Sequence, residues 1–332
     1  MASSSPSGSG KPGATSPAEP EAGGRGEHAP GPSDPFDRAA LARNRERAER
    51  MERLRLARAA DRGAPTTRDA SVGGAPDFLV RHALGDLLER LSGVERRFER
   101  AVVLDPPAPW CREAIGGNER VGTVDAIRSG ADGRVPIAPA SCDLVVSVMG
   151  LHTVADVPGT LAQVARALRP DGLFLATFPG GDTLRELRSV MLAAEAEIAG
   201  GASPRVFPFI DVRDAGALLQ RAGLALPVAD VDRLTVRYAD PVALMHELRA
   251  MGMANALAER PRRFLSRAVL MRALALYADA HADPDGRIRA THEIVSLSGW
   301  KPHESQQKPL APGSARARLG DALPDRMPGR GQ

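Results

Sequence analysis

Two aspartates twenty residues apart, Asp105 and Asp125, each close a short apolar run, at 101–105 and 121–125. At strand ends with that spacing, the second acid reaches the ribose of a bound nucleoside in dinucleotide-type sites. A third acid, Asp143, opens the run CDLVVSVM, and Gly150, Leu151 and His152 follow its last residue, Met149. Ligands of open α/β sheets bind outside the carboxyl ends of the strands. That rule directs His152 toward a crevice as a candidate base; the alternative is a histidine packed beside the sheet. Asp182 follows Gly180 and Gly181 after another apolar run, either as a helix cap or placed over a substrate. Asp132 is either an adenine-side acid or a turn residue. His303 stands near Trp300 and Glu304 in a polar, Pro-containing tail. The candidate catalytic set is therefore His152, Asp182 and His303, and the candidate cofactor contacts are Asp105, Asp125, Asp132, Met149, Gly150 and Leu151.

Composition narrows the function classes. Cys111 and Cys142 have no second Cys or His at metal spacing, so neither a disulfide framework nor a metal site is expected. Only Lys11, Lys301 and Lys308 among 44 basic residues are lysine, and the net charge is +3. A nucleic-acid footprint is instead clustered and strongly basic, so no nucleic-acid partner is expected. No apolar run approaches the ~20 residues that cross a bilayer, and the start carries no apolar signal core.

The elements that must position these residues can be read from periodicity. Residues 1–35 are rich in Ser, Gly, Pro, Ala and Glu and read as a disordered tail. Residues 36–62 read as a basic helix, either solvated with one edge packed or a docking arm for an acidic partner or a membrane surface. A linker over 63–76 completes that 36–76 segment. Phe78, Leu79, Leu84, Leu87, Leu88 and Leu91 recur at helical spacing. Strands are expected at 101–105, 121–125, 142–149, 172–178, 226–238 and 287–297, and helices at 160–168, 183–199, 211–223, 241–252 and 267–281. Strands alternating with helices predict a three-layer, doubly wound α/β fold with a parallel sheet. The domain is expected over 77–315, followed by a flexible tail at 316–332.

The words CDLVVSVMGLHTVAD (142–156) and LRPDGLFLATF (168–178) resemble the S-adenosylmethionine (SAM)-dependent methyltransferase superfamily, of the type 11 kind, over about 77–300. GGDTLRELR (180–188), EAEIAGGASPRVFPF (195–209), LLQRAG (218–223), SGWKPHESQQKPLAPGSA (298–315) and FDR (36–38) narrow the resemblance to the complex I assembly factor 5 family. It implies a seven-strand Rossmann-like sheet with helical additions in the C-terminal third, and SAM as cofactor. It further implies hydroxylation of an arginine on a complex I iron–sulfur subunit, in a bacterial cytoplasm or on the mitochondrial matrix side of a eukaryote. An ordinary methyltransferase acting on a small or carrier-bound acid, and a non-catalytic assembly protein, are the alternatives.

One departure is physical. Where that superfamily carries a glycine-rich loop after its first strand, this chain reads Leu104-Asp105-Pro106-Pro107-Ala108-Pro109-Trp110. Each proline fixes φ and removes an amide donor, whereas a cofactor cradle needs amides and positive φ. A protein-substrate role for the tail predicts a buried Trp300, with His303 or Glu304 facing the crevice.

Overall fold

The computed structural model describes residues 34–61, 77–130, 132–207, 209 and 211–306. The expected tail at 1–35 (apart from 34 and 35), the linker at 63–76 and the tail at 316–332 lie outside those residues. The helices are α1 (Arg38–Asp61), α2 (Phe78–Ser92), α3 (Trp110–Gly116), α4 (Val157–Ala167), α5 (Arg185–Ala199), α6 (Val212–Arg221), α7 (Pro241–Ala250) and α8 (Arg267–His281). The strands are β1 (Phe98–Leu104), β2 (Val121–Ile127), β3 (Cys142–Val148), β4 (Leu168–Pro179), β5 (Ala225–Tyr238) and β6 (Ile288–Trp300).

They form one sheet in the order β2-β1-β3-β4-β6-β5. The first four strands are parallel, and β6 runs antiparallel to both β4 and β5. Alternate residues go to opposite layers, as the period of two requires. Ala101 and Val103 meet α2 and α3 through Leu87, Leu91 and Ile115, while Val102 and Leu104 join the core containing Leu161, Val164 and Leu219 of α4 and α6. α5, α7 and α8 enclose a third apolar cluster around the buried Tyr277.

Among the described residues the sheet has six strands, one fewer than the resemblance implies. Only residues 128–141 connect β2 to β3. A parallel crossover takes about a dozen residues or more by itself, which leaves none for a further edge strand. The segment instead packs Val135 and Ile137 into the core and is pinned by Gln163, whose Oε1 accepts from Val135 N at 2.9 Å.

Helix starts follow local chemistry. Asp156, Asp211, Asp240 and Ser266 accept amide hydrogen bonds at the N-termini of α4, α6, α7 and α8, satisfying donors the helix itself cannot. α1 has few apolar positions, and it is fastened mainly at its beginning. Phe36 bridges to Leu257, Asp37 N donates to Ala256 O at 2.8 Å, and Arg260 pairs with Asp37 at 2.8 Å. The buried Asn44 donates from Nδ2 to Ala254 O at 2.7 Å.

Candidate functional site

β1 and β3 are neighbours, and both end in residues with left-handed backbone, Asp105 and Met149, each at φ 49°. That conformation is uncommon outside glycine, and here it turns both chains sharply at the carboxyl edge. Gly150 lets them approach: a Cβ there would stand 3.0 Å from Ser147 Oγ and 3.6 Å from Asp105 O. A short 3-10 turn, Leu151–Thr153, follows. It buries Leu151 in the core and holds His152 at the crevice.

Asp105, Met149, Gly150 and His152 line one cavity of about 90 Å³, with Arg45 of α1 and Met253 beyond α7 also in its wall. Of the expected cofactor contacts, Asp105, Met149 and Gly150 are thus brought together with His152. The Asp105 carboxylate accepts from Ser129 N at 2.9 Å and Ser129 Oγ at 2.5 Å.

His152 has a buried Nδ1 with no hydrogen-bond partner. Burial pushes its pKa down from 6.5 to about 4, so the ring is neutral near pH 7. Phe207 meets it edge-on with centroids 6.0 Å apart, Phe209 lies 6.1 Å away, and Phe36 stacks on Phe207 at 5.2 Å. Phe207 and Phe209 also wall a second, apolar cavity of about 180 Å³ against α5 and α7.

Four expected placements are corrected. Asp125 pairs in register with Val102, two residues before β2 ends, and its carboxylate is tied to Arg100 at 3.0 Å. It does not line the crevice; Ser129, just beyond β2, is the residue that reaches Asp105. Asp132 is exposed and accepts from Arg134 N at 3.0 Å within its own turn. Leu151 is core. His303 sits at the wrong end of the sheet. Because β6 is antiparallel to β4, Trp300 pairs with Leu173 near the start of β4, and Lys301 N donates to Gly172 O at 2.7 Å. The chain therefore leaves at the amino edge, where His303 is exposed and bonded to Ser305 and Trp300 is only half-buried.

Asp182 does lie at the carboxyl end of β4, yet not in the His152 cavity. It pairs with Arg233 at 2.9 Å, and Arg233 also binds the buried Glu293 at 2.9 Å. The cap position of α5 is Leu184, at φ 57° with no side-chain cap. Cys111 and Cys142 are buried, with pKa values raised by burial to about 12 and about 11; they pack rather than react. Among the described residues no group of three His, Cys, Asp or Glu could hold a metal.

Sequence reasoning missed Arg45, Ser129 and Met253. The sole local signal was a basic helix with a thin apolar face, which says nothing about where that helix lies.

A parallel sheet with an antiparallel strand inserted near one edge, helices on both faces and a crevice at the β1 and β3 carboxyl ends defines a methyltransferase-fold protein. In agreement, residues 85–176 match the family described as "Methyltransferase domain". The chain is 37% identical over 187 residues to the mitochondrial arginine-hydroxylase NDUFAF5 of Danio rerio, covering 56% of this chain and 58% of that protein. It is 38% identical over 180 residues to the malonyl-[acyl-carrier protein] O-methyltransferase of Laribacter hongkongensis, covering 54% and 58%. It thus spans a little over half the length of these curated relatives. Among solved structures, the YcgJ protein of Bacillus subtilis aligns over 67% of this chain and 99% of its own, with 14% identity and a TM-score of 0.42.

Proposed function

We propose that this chain recognises the guanidinium of an arginine on a protein partner, at the edge between β1 and β3. We place it in the modification and assembly of a complex I iron–sulfur subunit. The observation that carries this is the pairing, in one small cavity, of an Asp105 carboxylate with a neutral His152. A carboxylate supplies charge-assisted, fork-like bonding to guanidinium, and an uncharged imidazole adds an acceptor without repelling the cation. The cavity of about 90 Å³ places both groups around one small space. The relative from Danio rerio, named as an arginine-hydroxylase, supports the same substrate class.

The methyltransferase-domain match supports SAM as cofactor, but the loop after β1 offers it fewer amide donors than the resemblance implies. Of 106–110, only Ala108 and Trp110 keep an amide hydrogen. Asp125, the other expected acid, is engaged by Arg100. The cavity is well below the ~300 Å³ at which small-molecule sites begin. An adjoining hollow of about 420 Å³ is lined by Asp77, Pro107, Ala108, Pro109, Trp110 and Glu113, where only Ala108 and Trp110 of the loop keep amide donors. No chemical step is therefore routed through that cofactor.

Methyl transfer from SAM to a carboxylic acid is the second reading. It is favoured by Arg45, a cation lining the same cavity, and by the malonyl-carrier relative. No described helix is long and apolar enough to cross a membrane. A bacterial cytoplasm, or the matrix side in a eukaryote, with peripheral membrane contact, is the setting proposed. Mass spectrometry of complex I iron–sulfur subunits tests the arginine reading in a host lacking the chain. An arginine modification should vanish and return with the wild type, not with Asp105→Asn. Unmodified arginines in the presence of the wild type would overturn it.

A further inference from the structure

The wall of the crevice includes a cationic residue of the same chain. Arg45 of α1 lines the cavity together with Asp105 and His152. It is half-buried, and among the described residues it makes no hydrogen bond or ion pair within bonding distance. Its surroundings attract it through Asp105 and Glu49 and repel it through Arg128, and burial holds its pKa below the usual arginine value. A half-buried guanidinium with no fixed partner is costly unless the cavity compensates it. The helix carrying it is fastened on both sides of the preceding turn: Asn44 is bonded to Ala254, and Asp37 to Arg260. The backbone of Arg45 is thus held beside the crevice by the fold.

We propose that Arg45 is an internal occupant of the arginine site, held over Asp105 and His152 by α1, and that a partner's arginine must displace it. The proposal rests on the arginine-site reading. An internal competitor lowers apparent affinity by the fraction of molecules whose site is open, so a partner that also lifts α1 is favoured over a free arginine side chain. Further along α1, Met51 and Leu54 are exposed at 37% and 53%, so little burial opposes lifting the later turns.

Two measurements separate the failure modes. Calorimetry with acetyl-Gly-Arg-Gly-amide, its citrulline counterpart and monomethyl malonate is run on the full chain and on Arg45→Ala. Arginine peptide should bind Arg45→Ala roughly tenfold or more tightly than wild type, with citrulline inert. Equal affinity in both proteins would overturn internal competition while leaving the arginine site intact. Malonate binding that disappears in Arg45→Ala would instead make Arg45 a substrate ligand and overturn the proposal. A double-mutant cycle in urea, combining Arg45→Ala with Asp105→Asn, reads the internal contact without any peptide. Non-additive effects are expected. Strict additivity would show that Arg45 does not engage Asp105, whatever the peptide does. Absence of peptide binding to either protein would overturn the arginine site, and the occupancy with it.

Discussion

Ser129 holds Asp105 by two bonds: its hydroxyl donates to Oδ2 at 2.5 Å and its amide to Oδ1 at 2.9 Å. The acid after β1 is thereby fixed by the residue that follows β2, and the β1–β2 edge is tied together at the wall of the crevice. Ser129→Ala removes the hydroxyl bond and keeps the amide. A hydrogen bond to a charged group is worth about 1.5–3 kcal/mol, so the unfolding free energy should fall by the lower end of that range, read as a lower urea midpoint at unchanged m. An unchanged midpoint would mean that solvent replaces the hydroxyl at no cost.

Stability should decline on acidification before the carboxylates titrate. Burial pushes both His152 and His292 down from 6.5 to about 4. Between those values the unfolded chain binds more protons than the folded one, so stability is complete above pH 6.5 and is lost as pH falls toward 4. Each histidine contributes on the order of 1–2 kcal/mol between pH 7 and pH 5. His152→Asn should flatten the pH dependence of urea unfolding across that window; an unaltered slope would show that His152 titrates normally.

Titration of the unmodified chain with SAM should give no heat at concentrations up to about 1 mM, the weak-binding limit near −4 kcal/mol. Pro106→Gly combined with Pro107→Gly restores two amides and the backbone freedom the loop lacks. That double variant should gain measurable affinity. Tight binding by the wild-type loop would show that Ala108, Trp110 and the side chains around them suffice.

The tail after β6 should be structural. Ending the chain at Gly299 removes Trp300, which packs against the α2 face and pairs with Leu173, and the Lys301–Gly172 bond. A loss of about 2 kcal/mol is expected for a partly buried aromatic, read as a lower thermal midpoint. His303→Ala and Glu304→Ala should leave arginine-peptide binding to the Arg45→Ala protein unchanged. Weakened binding in either would place the tail at the crevice after all.

The sequence by itself determined most of the strands and helices, although α3 was not among the expected elements and α4 begins at Val157, behind Asp156, and not at 160. Apolar runs such as 142–148 and capping residues such as Asp156 and Asp240 act within a few residues, and short-range periodicity records exactly that kind of burial. It also determined that His152 stands at a strand end and that the loop after Leu104 loses three amides to proline. The tertiary structure decided which acids meet. Asp105 and Asp125 look equivalent in the sequence, but parallel register puts Asp125 opposite Val102 and on Arg100, leaving Asp105 alone at the edge. Strand direction decided the tail, since antiparallel β6 carries His303 away from the crevice. The placement of Arg45 depends on α1 docking on residues some 210 positions later, through Asn44 and Ala254. Such contacts are fixed by how finished elements pack in space, and no periodicity along the chain encodes them.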